Sequence, residues 1–397
     1  MKTLEQPEVP ALTQEPAAAE PFDGRARVAY ADAFRATAIL LVVADHLIQR
    51  LLPQYVNLRV NLGVWAVDCF FVLSGFLLTR PYLEAALERR PFPSSRLFFA
   101  RRFYRIWPLY AAATIVAALG QRIHGGHHVS LADVLAHLTM THNFVPAFDV
   151  SAFNPPLWTM AVDADFYLLL PLTALAVLPL LRRFPVAQRV GLLFALCGAV
   201  AIASVVLRAA TAFALPFAVT DPDTNFVLFR NVFAMGSAFV TGIVLALLTV
   251  LKTRIQPATA YAALGIGVAA GLGLFFIAPN TPVAAIFSDF IGGLSAGLLL
   301  FACLNGAVAG AGKIVHSKLV VSISALAYAI YLFHAPVLNT LYSLISGHHH
   351  RAHPGILYYL AVVVGTLAGT VLVAYLAHHF IEQPFLRRKD SLRESAP

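Results

Sequence analysis

Apolar runs long enough to cross a bilayer recur along the whole chain, separated by short polar stretches. A span needs about 20 predominantly apolar residues. Ten runs qualify, at about 33–52, 62–83, 103–120, 157–180, 190–210, 226–251, 259–278, 283–305, 319–345 and 355–380. The segment at about 130–148 opens like a capped helix, with Ser130 ahead of Leu131-Ala132-Asp133, but is too polar to span. It reads as an interfacial or re-entrant helix. Residues 1–29 are rich in Pro, Ala and Glu and lack apolar periodicity, which predicts a disordered tail. No short apolar core with a small-residue cleavage site precedes Arg35, so no signal peptide is expected. The expected fold is all-α, a polytopic membrane helix bundle of about ten transmembrane helices. Residues 30–386 form its single transmembrane domain, and residues 387–397 a basic cytoplasmic tail.

Composition supports this class. Hydrophobic residues make up 59% and charged residues 12%, with a mean hydropathy of +0.74. A soluble domain carries about 25% charged residues. The net charge of +8 therefore bears on topology first, and no nucleic-acid partner is implied. If the N-terminus is cytoplasmic, most Lys and Arg residues fall on the cytoplasmic side, among them Arg80, Arg89, Arg90, Arg96, Arg182, Arg183, Arg387 and Arg388. Both termini are then inside, and the lipid bilayer of the cell membrane is the expected setting. Cys69, Cys197 and Cys303 lie within apolar runs and read as packing residues; they fit neither a metal spacing nor a disulfide framework. Two external loops hold His124, His127, His128, His137 and His142, then His348, His349, His350 and His353. They read as solvated polar loops, with proton sensing or metal binding as the sharper alternative. No metal is predicted.

The first span carries the sharpest chemical signal. Arg35 and His46 lie inside it, eleven residues apart. At about 100° and 1.5 Å per residue, that returns within roughly 20° of the same face and rises about 16.5 Å. Ionisable side chains at such depth are functional candidates, because each costs roughly 2.5–3.5 kcal/mol on the insertion scale. A cation near one surface and a proton-transfer group deeper on the same face suit a long, anionic, activated substrate. Asp68 and Asp163 each lie six residues from the outer end of their spans, at the depth of His46. Either carboxylate could fix the imidazole tautomer, leaving the other nitrogen as a base. Asp45 is the poorer partner, since neighbouring helix positions point about 100° apart. At the cytoplasmic start of the third span stand Arg101, Arg102 and Arg105. Arg102 and Arg105 share a helix face and suit phosphate oxygens. Ten spans with buried charges also describe a secondary transporter, with the Arg-His face as a substrate or proton path.

Ordered motifs bear on the same residues, with the transporter class kept open beside them. Arg35 and His46 look like an Arg, ten residues, His signature. Asp68-Cys69-Phe70-Phe71-Val72-Leu73-Ser74-Gly75-Phe76-Leu77 follows in the second span, then Arg102-Phe103-Tyr104-Arg105 with Ile106-Trp107-Pro108-Leu109-Tyr110. Trp158-Thr159-Met160-Ala161-Val162-Asp163 precedes Phe166-Tyr167, and two late blocks are Tyr328 to Pro336 and Ile381-Glu382-Gln383-Pro384-Phe385. In this order the set resembles the acyltransferase-3 family of integral membrane acyl-group transferases. Asp163 departs from the Glu usual in its block, and Ala164 stands where a second acid is common. The resemblance implies transfer of an acyl group, most often acetyl, from cytoplasmic acyl-CoA to a hydroxyl of a glycan or other sugar-bearing acceptor. It implies that Arg35, Arg102 and Arg105, with Arg101 beside them, hold the donor. His46 then acts as general base or nucleophile, supported by Asp163 or Asp68. It also marks Ser74, Trp158, Tyr167, His334 and Glu382 as members of the matched blocks. No appended hydrolase-like domain is expected after about residue 386.

Overall fold

The computed structural model describes residues 24–88, 90–123, 129–145, 148, 154–215, 227–253, 255–346 and 355–394. Among these there is no strand. The helices are α1 (Gly24–Leu51), α2 (Val56–Glu88), α3 (Ser95–Ile123), α4 (Leu131–Leu138), α5 (Leu157–Leu181), α6 (Val186–Ala214) and α7 (Gly236–Val250). They continue with α8 (Pro257–Gly273), α9 (Pro282–Leu304), α10 (Lys318–Ser346), α11 (Ile356–Ala377) and α12 (Gln383–Glu394). A π-helical turn, His378–Glu382, joins α11 to α12.

Among the described residues, eight helices are long and apolar enough to cross a membrane, against the ten spans expected. The two that differ are α1 and α7. α1 has the length, at 28 residues, but Asp32, Arg35, Asp45, His46 and Arg50 dilute its apolar content. α1 packs against α2 and α10, which leaves Asp32, Arg35, Asp45 and His46 half-buried and Arg50 exposed. α7 has only 15 residues, about 22 Å of rise, short of a roughly 30 Å hydrocarbon core. The chain ahead of it turns irregularly through Arg230–Met235. Side chains hold that turn: the Asn231 carboxamide oxygen accepts from the Phe233 and Ala234 N–H groups, and the Ser204 hydroxyl donates to the Ala234 carbonyl at 2.8 Å. Non-helical backbone at membrane depth is tolerated where protein surrounds it.

The predicted disordered tail covers residues 1–29. Residues 1–23 lie outside the described residues, and α1 already begins at Gly24. Of the histidine-rich loops, only His137 and His142 lie within the described residues. The polar segment after α3 forms α4, whose Ser130 hydroxyl accepts from the Asp133 N–H at 3.0 Å, and a 3-10 turn at His142–Phe144.

α2 is the central helix and packs against α1, α7 and α9. One core gathers Phe71, Phe76, Phe166, Met235, Phe239 and Leu300. A second joins α1, α3, α10 and α11 around Ile39, Leu109, Tyr110, Tyr331 and Phe333. The α2–α7 crossing needs glycine on both sides. A Cβ on Gly75 would collide with the Phe239 carbonyl oxygen, and one on Gly242 with that of Val72. Small residues let helix backbones approach in this way. The crossing also sets Ser74, next to Gly75, at the wall of the site.

Candidate active site

A cavity, about 870 Å³ of empty space when its open mouth is included, lies between α1, α2, α3, α5 and α10. Its lining runs from Arg35, Arg102 and Arg105 to Val67, Thr159 and Tyr331. Arg35 from α1 and Arg102 and Arg105 from α3 line it, so arginines from two helices converge on one space. Arg35 donates to Asp32 at 2.8 Å and to the Ser324 hydroxyl at 3.0 Å, and Ser324 donates to Asp32 in turn. That triangle fixes the first cation against α10. Arg102 stands over the Tyr167 and Phe98 rings, 5.9 and 5.8 Å from their centroids. Arg101 is not among the lining residues.

The opposite wall comes from α5. Thr159, Asp163 and Tyr167 recur every four residues and form one polar stripe. The Thr159 and Tyr331 hydroxyls lie 2.6 Å apart. Asp163 is 6% exposed, and the Ser74 and Tyr167 hydroxyls lie beside it. Its Oδ1 has no partner.

Beyond Tyr331 the polar path continues through imidazoles. The Tyr331 ring is 6.0 Å from that of His334, and the His334 ring meets His46 edge-on at 4.8 Å. The Nδ1 of His46 lies 2.9 Å from the Val42 carbonyl oxygen, which can only accept, so Nδ1 carries the proton and the lone pair sits on Nε2. His334 repeats the device, with Nδ1 3.1 and 2.8 Å from the Ile330 and Tyr331 carbonyls. Sequence reasoning expected a carboxylate to set the His46 tautomer. A backbone carbonyl one turn earlier does so.

Neither acid expected to orient His46 bonds to it. Asp163 faces the cavity with Ser74 and Tyr167, and Asp68 is fully buried against Gly292 of α9 with neither oxygen hydrogen-bonded. Equal depth along idealised helices leaves the direction around each axis open, and here the directions diverge. The acid nearest the His46 ring is Asp45, discounted earlier, whose Oδ2 lies 3.7 Å from Nδ1. His46 and Asp45 keep 18% and 15% of their side-chain surface exposed, and His46 is not among the residues that line the cavity.

Sequence reasoning missed a second charged cluster. Arg208 of α6 forms an ion pair with Asp289 of α9 and donates to the Ala285 and Phe229 carbonyls at 2.6 and 2.9 Å. The Arg230 guanidinium lies 5.0 Å from the centre of the Trp158 ring. Asp289 and Asp45 both act electrostatically on Arg230. The signal was available: Arg208 and Asp289 each interrupt an apolar run, the same cue that singled out Arg35. Glu382 lies elsewhere, in the π-helical turn, where it accepts from His378 at 2.8 Å.

His137 and His142, in the segment after α3, stack on each other. The His137 and His142 rings lie 4.0 Å apart and almost parallel, with Asp133 Oδ1 3.0 Å from His137 Nδ1. Burial lowers the pKa of both, His142 to about 3, and the His137 ring lowers that of His142 further.

Fold and site together define an integral membrane helix bundle whose cationic cavity reaches a tyrosine beside two imidazoles, the buried His334 and the half-buried His46. The chain belongs to the acyltransferase-3 family, since the family model described as an acyltransferase domain matches residues 28–375. It is a membrane acyltransferase. It is similar to the acyltransferase MdmB of Streptomyces mycarofaciens, at 27% identity over 349 residues, covering 82% of each chain. It is also similar to the peptidoglycan O-acetyltransferase OatA of Listeria monocytogenes, at 30% identity over 152 residues, covering 35% of this chain and 23% of that protein. No solved structure shows a significant match.

Proposed function

We propose that this membrane acyltransferase moves an acyl group, acetyl in the simplest case, from cytoplasmic acyl-CoA to a hydroxyl of a glycan or other sugar-bearing acceptor at the cell membrane. The observation that carries this reading is the convergence of Arg35, Arg102 and Arg105 on one cavity that ends towards Tyr331, His334 and His46. Guanidinium groups match phosphate oxygens in geometry and charge, so the nucleotide end of the donor occupies the arginines. The thioester then points towards the imidazoles. OatA, by its name, O-acetylates a glycan polymer, which supports a sugar hydroxyl as acceptor.

In the proposed step His46 Nε2 takes the hydroxyl proton as the acceptor oxygen bonds to the acyl carbon. The carbon–sulfur bond breaks, and the proton passes from His46 to the departing thiolate, so CoA leaves as the free thiol. A lone pair on Nε2 serves a nucleophile equally well. A burst of CoA without acceptor would mark that route. The test is purified protein in detergent with acyl-CoA and sugar acceptors, read as free thiol and acylated product. Formation of both supports the reading. Failure to release CoA with any acyl-CoA overturns it.

A further inference from the structure

Asp163 lies in the donor cavity and does not touch His46, so its carboxylate needs another role. Within the donor reading above, we infer that Asp163 is a donor-binding residue that accepts a hydrogen bond from the amide N–H of the pantetheine arm nearest the thioester. Three observations place that contact. First, Asp163 lines the cavity, and its Oδ1 is buried without a partner, with the Ser74 and Tyr167 hydroxyls beside the carboxyl group. A buried carboxylate oxygen without a donor is costly, and an incoming N–H removes that cost. Second, Asp163 sits midway along the α5 stripe. It is one turn, about 6 Å, from Tyr167 on the Arg102 side, and one turn from Thr159, which bonds Tyr331. A donor with phosphates at the arginines and its thioester near Tyr331 passes Asp163 with the linking arm. Third, that arm carries secondary amides, whose N–H groups are donors, whereas phosphates would be repelled by the carboxylate.

The test compares two short thioesters that lack phosphates. One is S-acetyl-N-acetylcysteamine. The other is its ester isostere, with oxygen in place of the amide N–H. The parent protein should use the amide with a kcat/KM about ten- to a hundred-fold above the isostere, the scale of one charge-assisted hydrogen bond. Asp163→Ala should abolish that preference, and Asp163→Asn, with a neutral acceptor, should retain part of it. A parent that uses both thioesters equally overturns the inference whether or not any variant folds. So does an Asp163→Ala variant that loses activity on both in equal measure, as a purely structural residue would. Release of CoA from full-length acyl-CoA by the same preparation shows separately whether the donor reading itself stands.

Discussion

The Arg208–Asp289 pair offers the sharpest test of how the bundle is held around its site. Both side chains are buried, at 4% and 7% exposure, and join α6 to α9. Arg208 also ties down the Phe229 carbonyl, at the start of the irregular turn that carries Arg230 to Trp158. In Arg208→Met, Asp289 keeps its charge without its cation and stands beside Asp68. Removing one partner of a buried pair costs about 3–5 kcal/mol. The Ala285 and Phe229 carbonyls lose their donor as well, and that cost overlaps the first because the groups act as a unit. Replacing both partners, as in Arg208→Met with Asp289→Leu, removes the stranded charge and should recover most of the loss, since apolar replacement of buried pairs is often neutral. The assay is denaturant unfolding in detergent on the parent, both single variants and the double. If Arg208→Met lies within about 0.5 kcal/mol of the parent, or the double variant is no better than the single, the pair does not brace α6 against α9 and the reasoning fails.

Three further outcomes follow. Arg102→Ala and Arg105→Ala should each raise KM for acyl-CoA by about ten- to a hundred-fold with little change in saturated rate, read from initial rates; unchanged donor affinity in both moves the donor site elsewhere. Gly75→Ala and Gly242→Ala should each cost about 1–3 kcal/mol by overpacking the α2–α7 crossing, measured as unfolding in detergent, and neutral substitutions would refute the close approach. His142, held near pKa 3 in the folded protein, binds a proton more readily unfolded, so its stability contribution is full above about pH 6.5 and is lost as pH falls towards 3. His142→Phe should therefore flatten the decline in unfolding temperature between pH 7 and pH 5, and an unchanged slope would count against the buried stack.

Much of this arrangement was legible in the sequence, because bilayer-length apolar runs and charges inside them are local signals. The Arg102–Arg105 pair needed only helix periodicity, and both line the cavity with Arg35, whereas His46, expected on the Arg35 face, is not among the lining residues. Partners were harder. Counting residues placed Asp68, Asp163 and His46 in one layer, yet depth carries no information about direction around a helix axis. Asp163 turned to the cavity and Asp68 to α9. The Val42 carbonyl escaped notice because every helix carries such a carbonyl and only side-chain geometry shows which one a ring uses. Arg208 and Asp289 are 81 residues apart, and nothing in either run names the other. The irregular turn before α7 was hidden by its composition, since Phe229, Val232 and Phe233 read as one more apolar span.

The account rests on His46 as the group that carries the proton, with donor binding located elsewhere. Its most direct test is acyl transfer from acyl-CoA by purified parent and His46→Ala, alongside CoA binding by both. The account predicts that His46→Ala binds CoA as the parent does and loses transfer by about 10²–10⁴-fold, the usual scale of acid–base assistance. A folded His46→Ala variant that transfers the acyl group at the parent rate contradicts it.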